Sequence, residues 1–208
     1  MPAAASGFHL YGISGAGSLI VEFLLTLAGQ PYDRSFPTKE ERQSPAFKAI
    51  SPSGQIPVLV TPEGHHLAES LAITQYLLAR FPEAGMIAPM NDQAHGACLQ
   101  WLSYLATTVY PAYQRYYQTA SFDGDQDAIR QSGFRDRLRY YDVIETVGDG
   151  FLAGERISAA DLYLYMLLRW DQDLEATLST RPRLAGIYDA VENLPAVQTV
   201  LAQQPPKE

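Results

Sequence analysis

The stretch Ser51-Pro52-Ser53-Gly54-Gln55-Ile56-Pro57-Val58-Leu59 constrains this chain more than any other. It reads as a loop followed by a short strand that opens on a proline. Proline cannot donate to a sheet ladder, so within sheets it is tolerated at a strand's first residue. Ile56-Pro57 is also an X-Pro bond, the one kind of peptide bond for which the cis form costs little. A cis bond there would turn the Ile56 N–H and C=O away from the ladder. That leaves a donor and an acceptor facing outward, which suits an extended peptide ligand.

The residues that follow extend the constraint. Val58-Leu59-Val60 has the pattern of a buried strand, Thr61-Pro62-Glu63-Gly64 of a turn, and His65 to Ala68 of a second strand. Glu69-Ser70 then opens a helix whose apolar positions are Leu71, Ile73, Leu77, Leu78 and Phe81, with Ser70 as its expected N-cap. A helix start binds carboxylates through its free N–H groups and its dipole. Glu69 beside it can hold an ammonium group, so one place offers partners to both halves of a free amino-acid terminus. This block resembles that of the glutathione transferases, an Asn-Pro-x-Gly-x-Val-Pro-x-Leu loop and strand followed by Glu-Ser. Ser51 stands for the Asn and Ile56 for the Val, and the rest is kept.

Upstream, Phe8 to Tyr11 reads as a strand and Gly12-Ile13-Ser14-Gly15-Ala16-Gly17-Ser18 as a glycine-rich loop. A helix follows on Leu19, Ile20, Phe23, Leu24 and Leu27, stopped by Gly29. The glycine spacing is neither that of a dinucleotide loop nor that of a phosphate loop. Tyr32 to Phe36 is a further strand, and Ser44 to Ile50 a short helix. The order β-α-β-α-β-β-α fits a thioredoxin-like α/β layer.

Residues 82–91 read as a linker, which divides the chain into a domain of residues 1–81 and an all-α domain of residues 92–208. The second begins with a helix capped by Asn91 or Asp92, in which Pro111 should cause a kink or break. A helix over about Asp125 to Val147 follows, then one begun by Ser158-Ala-Ala-Asp161, one from Arg181-Pro182 and one from Leu194-Pro195. Ser158 and Asp161 are spaced as a capping box, with Asp in the usual Glu place. Glutathione transferases carry such a box at the start of their buried helix, after a Leu-x-Gly stretch like Leu152-Ala-Gly154. The Gln203 to Glu208 end is expected to fray.

The chain of 208 residues carries a net charge of −8, which argues against nucleic acid or an anionic membrane as partner. Met1 to Gly7 lacks a basic region and a long apolar run, so no signal peptide is expected and the reading is cytoplasmic. The one cysteine, Cys98, lies in an apolar helical stretch and is read as a small buried hydrophobe. The histidines His9, His65, His66 and His95 are not spaced as metal ligands, so no metal is expected.

The resemblance implies the chemistry. A thioredoxin-like redox protein needs Cys-x-x-Cys after its first strand, and here stands Ser14-Gly-Ala-Gly17. A nucleophilic sulfur must then arrive with a ligand, and glutathione is the co-substrate implied. Ser14 falls where theta- and delta-like transferases place a serine, and Tyr11 where alpha-, mu- and pi-like enzymes place a tyrosine. Ser18 is the third hydroxyl, with helix capping as its other role, and Ser14 is placed ahead of Tyr11. Ile56 before Pro57 would pair with the cysteinyl backbone, Glu69 and Ser70 would hold the γ-glutamyl end, and Gln55 flanks the same edge. Lys39, Arg42 or Lys48 would meet the glycine carboxylate. Tyr110, Tyr113 and Tyr117 share a helix face that in the family lines the pocket for a hydrophobic electrophile. The whole implies a homodimeric detoxifying transferase. Peroxidase, isomerase or dehalogenase chemistry, or a non-catalytic glutathione-transferase-like binding protein, are the alternatives.

Overall fold

The computed structural model describes residues 7–206; the stretch read above as lacking a signal, up to Ser6, and Lys207 with Glu208 lie outside them. The chain forms two compact units, one built from residues up to Met86 together with Leu194 onward, the other from Ile87–Asn193. This grouping differs from a linear division at residues 82–91, because the last helix returns to the first unit.

In the first unit, strands β1 (Phe8–Tyr11), β2 (Tyr32–Ser35), β3 (Val58–Val60) and β4 (His66–Ala68) form one sheet in the order β2-β1-β3-β4. β1 runs parallel to β2 and antiparallel to β3, and β3 is antiparallel to β4. Phe8 and Leu10 are buried, while His9 and Tyr11 on the other face are half-buried, as strand alternation requires. Helices α1 (Leu19–Leu27), α2 (Lys39–Gln43), α3 (Pro45–Lys48) and α4 (Ser70–Arg80) complete the layer. The thioredoxin-like order expected from the sequence is present. Only α2 was not anticipated. Its signal was legible: Thr38 accepts from the Glu41 N–H, and Glu41 accepts from the Thr38 N–H, a reciprocal capping box.

α1 is buried over Leu19, Ile20, Val21, Glu22, Phe23, Leu24 and Leu25. It packs against α4 on one side and against α11 (Pro195–Ala202) on another. α11 contributes the buried Val197 and Val200. A helix apolar all round must be enclosed, and α11 completes the enclosure. Where fraying was expected, Gln203, Gln204 and Pro205 all bond to the rest of the first unit.

The second unit is all helical: α5 (Gln93–Tyr104), α6 (Tyr110–Tyr117), α7 (Gln126–Thr146), α8 (Ala159–Leu168), α9 (Leu174–Ser179) and α10 (Pro182–Glu192). Asp92 caps α5 by accepting from the Ala94 N–H. Pro111 neither breaks nor ends the run. A π turn over Leu105–Val109 joins α5 to α6, with the Tyr110 N–H reaching back to Leu105 O, and Pro111 sits in the first turn of α6. A π turn takes up the register that the missing N–H of proline would disturb. α6 lies close along α7 at Gly133, where an added Cβ would stand 2.5 Å from Ala112 O, so only glycine fits.

Every residue of α8 is buried. Its start is governed by Asp161, whose carboxylate accepts from the Leu152 N–H, the Ser158 N–H and the Ser158 hydroxyl, each at 2.8 Å. The expected capping box between Ser158 and Asp161 is present, and the Ser158 hydroxyl donates its proton to the carboxylate. Burial pushes the Asp161 carboxyl above the usual carboxylate range, against the pull of these donors.

Candidate functional site

Sheet register brings the expected site residues of the first unit to one end. Tyr11, the last residue of β1, pairs with Ser35 of β2 and with Val58, the first residue of β3; Val58 pairs with Ala68, the last residue of β4. The chain leaving Tyr11, the chain entering Val58 and the chain leaving Ala68 therefore meet in a row. They are the glycine loop, Gln55-Ile56-Pro57 and Glu69-Ser70.

The Ile56–Pro57 bond is cis, as the loop pattern anticipated. The β1–β3 ladder starts at Val58. Among the described residues, the Ile56 N–H and C=O have no hydrogen bond. Ile56 is half-buried and Gln55 exposed. The Gln55 backbone is held by the loop: its carbonyl accepts from the Ser51 hydroxyl at 2.8 Å, and its N–H donates to Ser53 Oγ at 3.2 Å. Ser51, in the position of the family's Asn, is therefore the loop's internal tie.

Glu69 corrects one expectation. It, not Ser70, is the residue before α4, and Ser70 is the helix's first residue. Glu69 has φ 69°, and among the described residues it is the one non-glycine with positive φ. A non-glycine held there costs on the order of 1–3 kcal/mol and persists only where its surroundings impose it. The Glu69 carbonyl accepts from the Ile73 N–H at 2.9 Å, and the residue as a whole is exposed at the helix start.

The three hydroxyls of the first strand and loop have different fates. Ser18 is fully buried and closes the loop on itself: its hydroxyl donates to Ile13 O at 3.0 Å and accepts from the Ile13 N–H at 3.3 Å. It makes no side-chain cap to α1. This clasp explains Gly12, where a Cβ would stand 2.5 Å from Ser18 Oγ. Ser14 donates its hydroxyl proton to Pro205 O at 2.8 Å. Tyr11 is half-buried, with its ring edge-on to Phe47 at 5.5 Å and beside His9 at 4.6 Å. Its hydroxyl has no hydrogen bond among the described residues. Of the candidate cations, Lys39 and Lys48 are exposed, and Arg42 donates from Nε to Thr38 O at 3.4 Å.

In the second unit, the expected tyrosine face is organised by Trp170, which the sequence reading did not single out. Tyr110 and Tyr113 stand edge-on to its ring at 5.1 and 5.6 Å, and the Tyr117 hydroxyl donates to its carbonyl. Tyr113 is 2% exposed, and its hydroxyl is bonded to that of Tyr141 at 2.7 Å, so it is a core residue. Tyr110 is half-buried and Tyr117 exposed. Beneath them Arg137 is buried against the Tyr113, Tyr116 and Phe134 rings and pairs with the buried Asp171 at 3.1 Å. Cys98 is buried as expected, and burial pushes its thiol up. Among the described residues no group of side chains could hold a metal ion, and no helix is long and apolar enough to cross a membrane.

A thioredoxin-like unit whose cis-proline edge meets a helix start, carried in one chain with an all-helical unit, defines the glutathione-transferase class of fold. The sequence matches the glutathione S-transferase N-terminal domain over residues 18–80 and the C-terminal domain over residues 110–204. It is 31% identical over 157 residues to the probable glutathione S-transferase 7 of Caenorhabditis elegans, covering 73% of each chain. It is 28% identical over 159 residues to glutathione S-transferase GstA of Escherichia coli O157:H7, covering 76% of this chain and 78% of that one. A sphingomonad glutathione S-transferase solved in complex with glutathione superposes with a TM-score of 0.78 at 25% identity, over 93% of this chain and 97% of that one. The chain belongs to the glutathione S-transferase family.

Proposed function

We propose that this protein conjugates the thiol of glutathione to a hydrophobic electrophile. The observation that carries the reading is the Ile56 N–H and C=O, left outside the ladder beside a cis Pro57, in register with Glu69-Ser70 at the start of α4. A γ-glutamyl tripeptide has the matching groups. Its cysteinyl backbone pairs with Ile56, its α-ammonium meets Glu69, and its α-carboxylate meets the α4 start at Ser70. Gln55 flanks the same edge. Lys39, Arg42 and Lys48 are the cations available to its glycine carboxylate.

The sulfur then lies toward the end of β1. A free thiol has a pKa of about 8.5, so it is mostly protonated at neutral pH, and each unit of lowering needs about 1.4 kcal/mol of preferential thiolate stabilisation. A hydroxyl donor and the start of α1 supply it. Ser14 has one proton and gives it to Pro205 O, which leaves the Tyr11 phenol as the favoured donor. Tyr110 and Tyr117 are the members of the tyrosine face exposed enough to touch an electrophile. The same reading carries a cytoplasmic homodimer with a detoxifying role.

Retention on glutathione-agarose and turnover of glutathione with a chlorodinitrobenzene test the function together. Tyr11→Phe should keep retention and lose turnover by roughly a hundredfold or more, the effect expected of one charge-stabilising donor. Ser14→Ala should retain more activity than Tyr11→Phe. The reverse order would move the role to Ser14. Absence of retention by the wild type would remove the reading.

A further inference from the structure

Glu22 is the one charged residue of α1 and is fully buried. An isolated buried carboxylate is too costly to keep, so what surrounds it is informative. Arg34 on β2 donates from Nη1 at 2.6 Å. Gln204, after the end of α11, donates its side-chain amide to both Glu22 oxygens at 3.1 and 3.0 Å. The other end of the same amide accepts from the Gly15 N–H at 3.3 Å. The neighbours of Gln204 are bonded as well. Gln203 O accepts from Arg34 Nη2 at 2.5 Å, and Pro205 O accepts the Ser14 hydroxyl at 2.8 Å. Three consecutive tail residues thus reach β2, α1 and the glycine loop.

We infer that Gln204 is a positioning residue for the thiol site: the tail 203–205 is a latch that fixes the tip of the β1–α1 loop on the buried Glu22–Arg34 pair. This rests on the reading of that loop as the place of the glutathione sulfur. The loop needs such a support. Gly12, Gly15 and Gly17 give it large conformational freedom. Within the loop, the Ser18 clasp ties Ile13, the Gly12 N–H donates to Ser35 O at 2.9 Å, and the Ala16 N–H donates to Ile13 O at 3.1 Å. Gln204 adds a tie from outside the loop, since its amide joins a backbone N–H of the loop tip to the buried Glu22 carboxylate of α1. Ser14, on this account, is the latch's anchor, which is why its proton points at a carbonyl. Stabilising a thiolate depends on donors held in place before it forms, and a loosened loop loses that.

The test uses the full chain, Gln204→Ala, and a chain ending at Gln204 with an amidated C-terminus, which keeps the Gln204 side chain on Glu22 without a new terminal charge and removes residues 205–208 with the carbonyl that Ser14 reaches. Bound glutathione is titrated by its thiolate absorbance, and S-methylglutathione affinity is measured separately. In both variants the bound thiol pKa should rise by about one unit and kcat fall roughly tenfold, with S-methylglutathione affinity within about twofold of wild type. A merely structural tail would lower affinity and melting temperature and leave the thiol pKa where it was. Hydrogen exchange of the amides of residues 12–18, read without any ligand, should speed up roughly tenfold in both variants. If the wild type holds no glutathione, the proposed function fails and the exchange result alone decides the latch. If both variants fold with wild-type exchange and wild-type thiol titration, the latch is refuted.

Discussion

Asp161 shows how much one side chain can hold. Its carboxylate is fully buried and serves two backbone N–H groups and a hydroxyl from the turn ahead of α8. Removing it strands the Leu152 and Ser158 N–H groups away from water, at about 1–3 kcal/mol for each buried donor left unpaired. Asp161→Ala is therefore expected to lose about 3 kcal/mol of stability in urea denaturation while leaving glutathione affinity unchanged. A loss under about 1 kcal/mol would mean that water reaches the freed donors. The spacing of Ser158 and Asp161 was readable as a cap. That the aspartate also gathers Leu152 was not, because the turn that brings Leu152 back is set by packing.

α1 is the element on which the first unit turns. The sequence announces it by its apolar run and hints at its one anomaly, Glu22, a charge where the helix should be enclosed all round. Burial raises the Glu22 carboxyl above its usual range, with Arg34, Gln204 and Tyr32 pulling the other way. A group whose folded pKa is raised binds its proton more tightly folded than unfolded, so its contribution to stability falls as pH rises through the raised value. Glu22→Gln cannot titrate. The stability difference, wild type minus Glu22→Gln, is thus expected to move in favour of the wild type as pH drops from 7 and to level off below 4.5, the ordinary value for the group. Melting temperatures of the two proteins across that window measure it. A difference that moves toward the variant on acidification would show that Arg34 outweighs burial.

At the scale of the whole molecule, the first unit is discontinuous in sequence. α11 closes it by burying Val197 and Val200 against α1. A chain ending at Asn193 should lose about 4 kcal/mol from the first unit by apolar burial alone, taking about 1.5–3 kcal/mol for each buried valine. It should lose more because Glu22 forfeits Gln204. Melting of the shortened chain, followed by hydrogen exchange in α1 and α4, reads this out; wild-type protection in α1 would contradict it. The linear patterns of strand, turn and helix determined the thioredoxin-like order and the helical second unit, because each depends on neighbours a few residues apart. Only the tertiary structure decided that Ser14 answers to Pro205, that Tyr113 belongs to the core under Trp170, and that Gln204 meets Glu22. Those choices join residues up to 191 apart in sequence, and no local periodicity reports which distant group will fill a buried donor or acceptor.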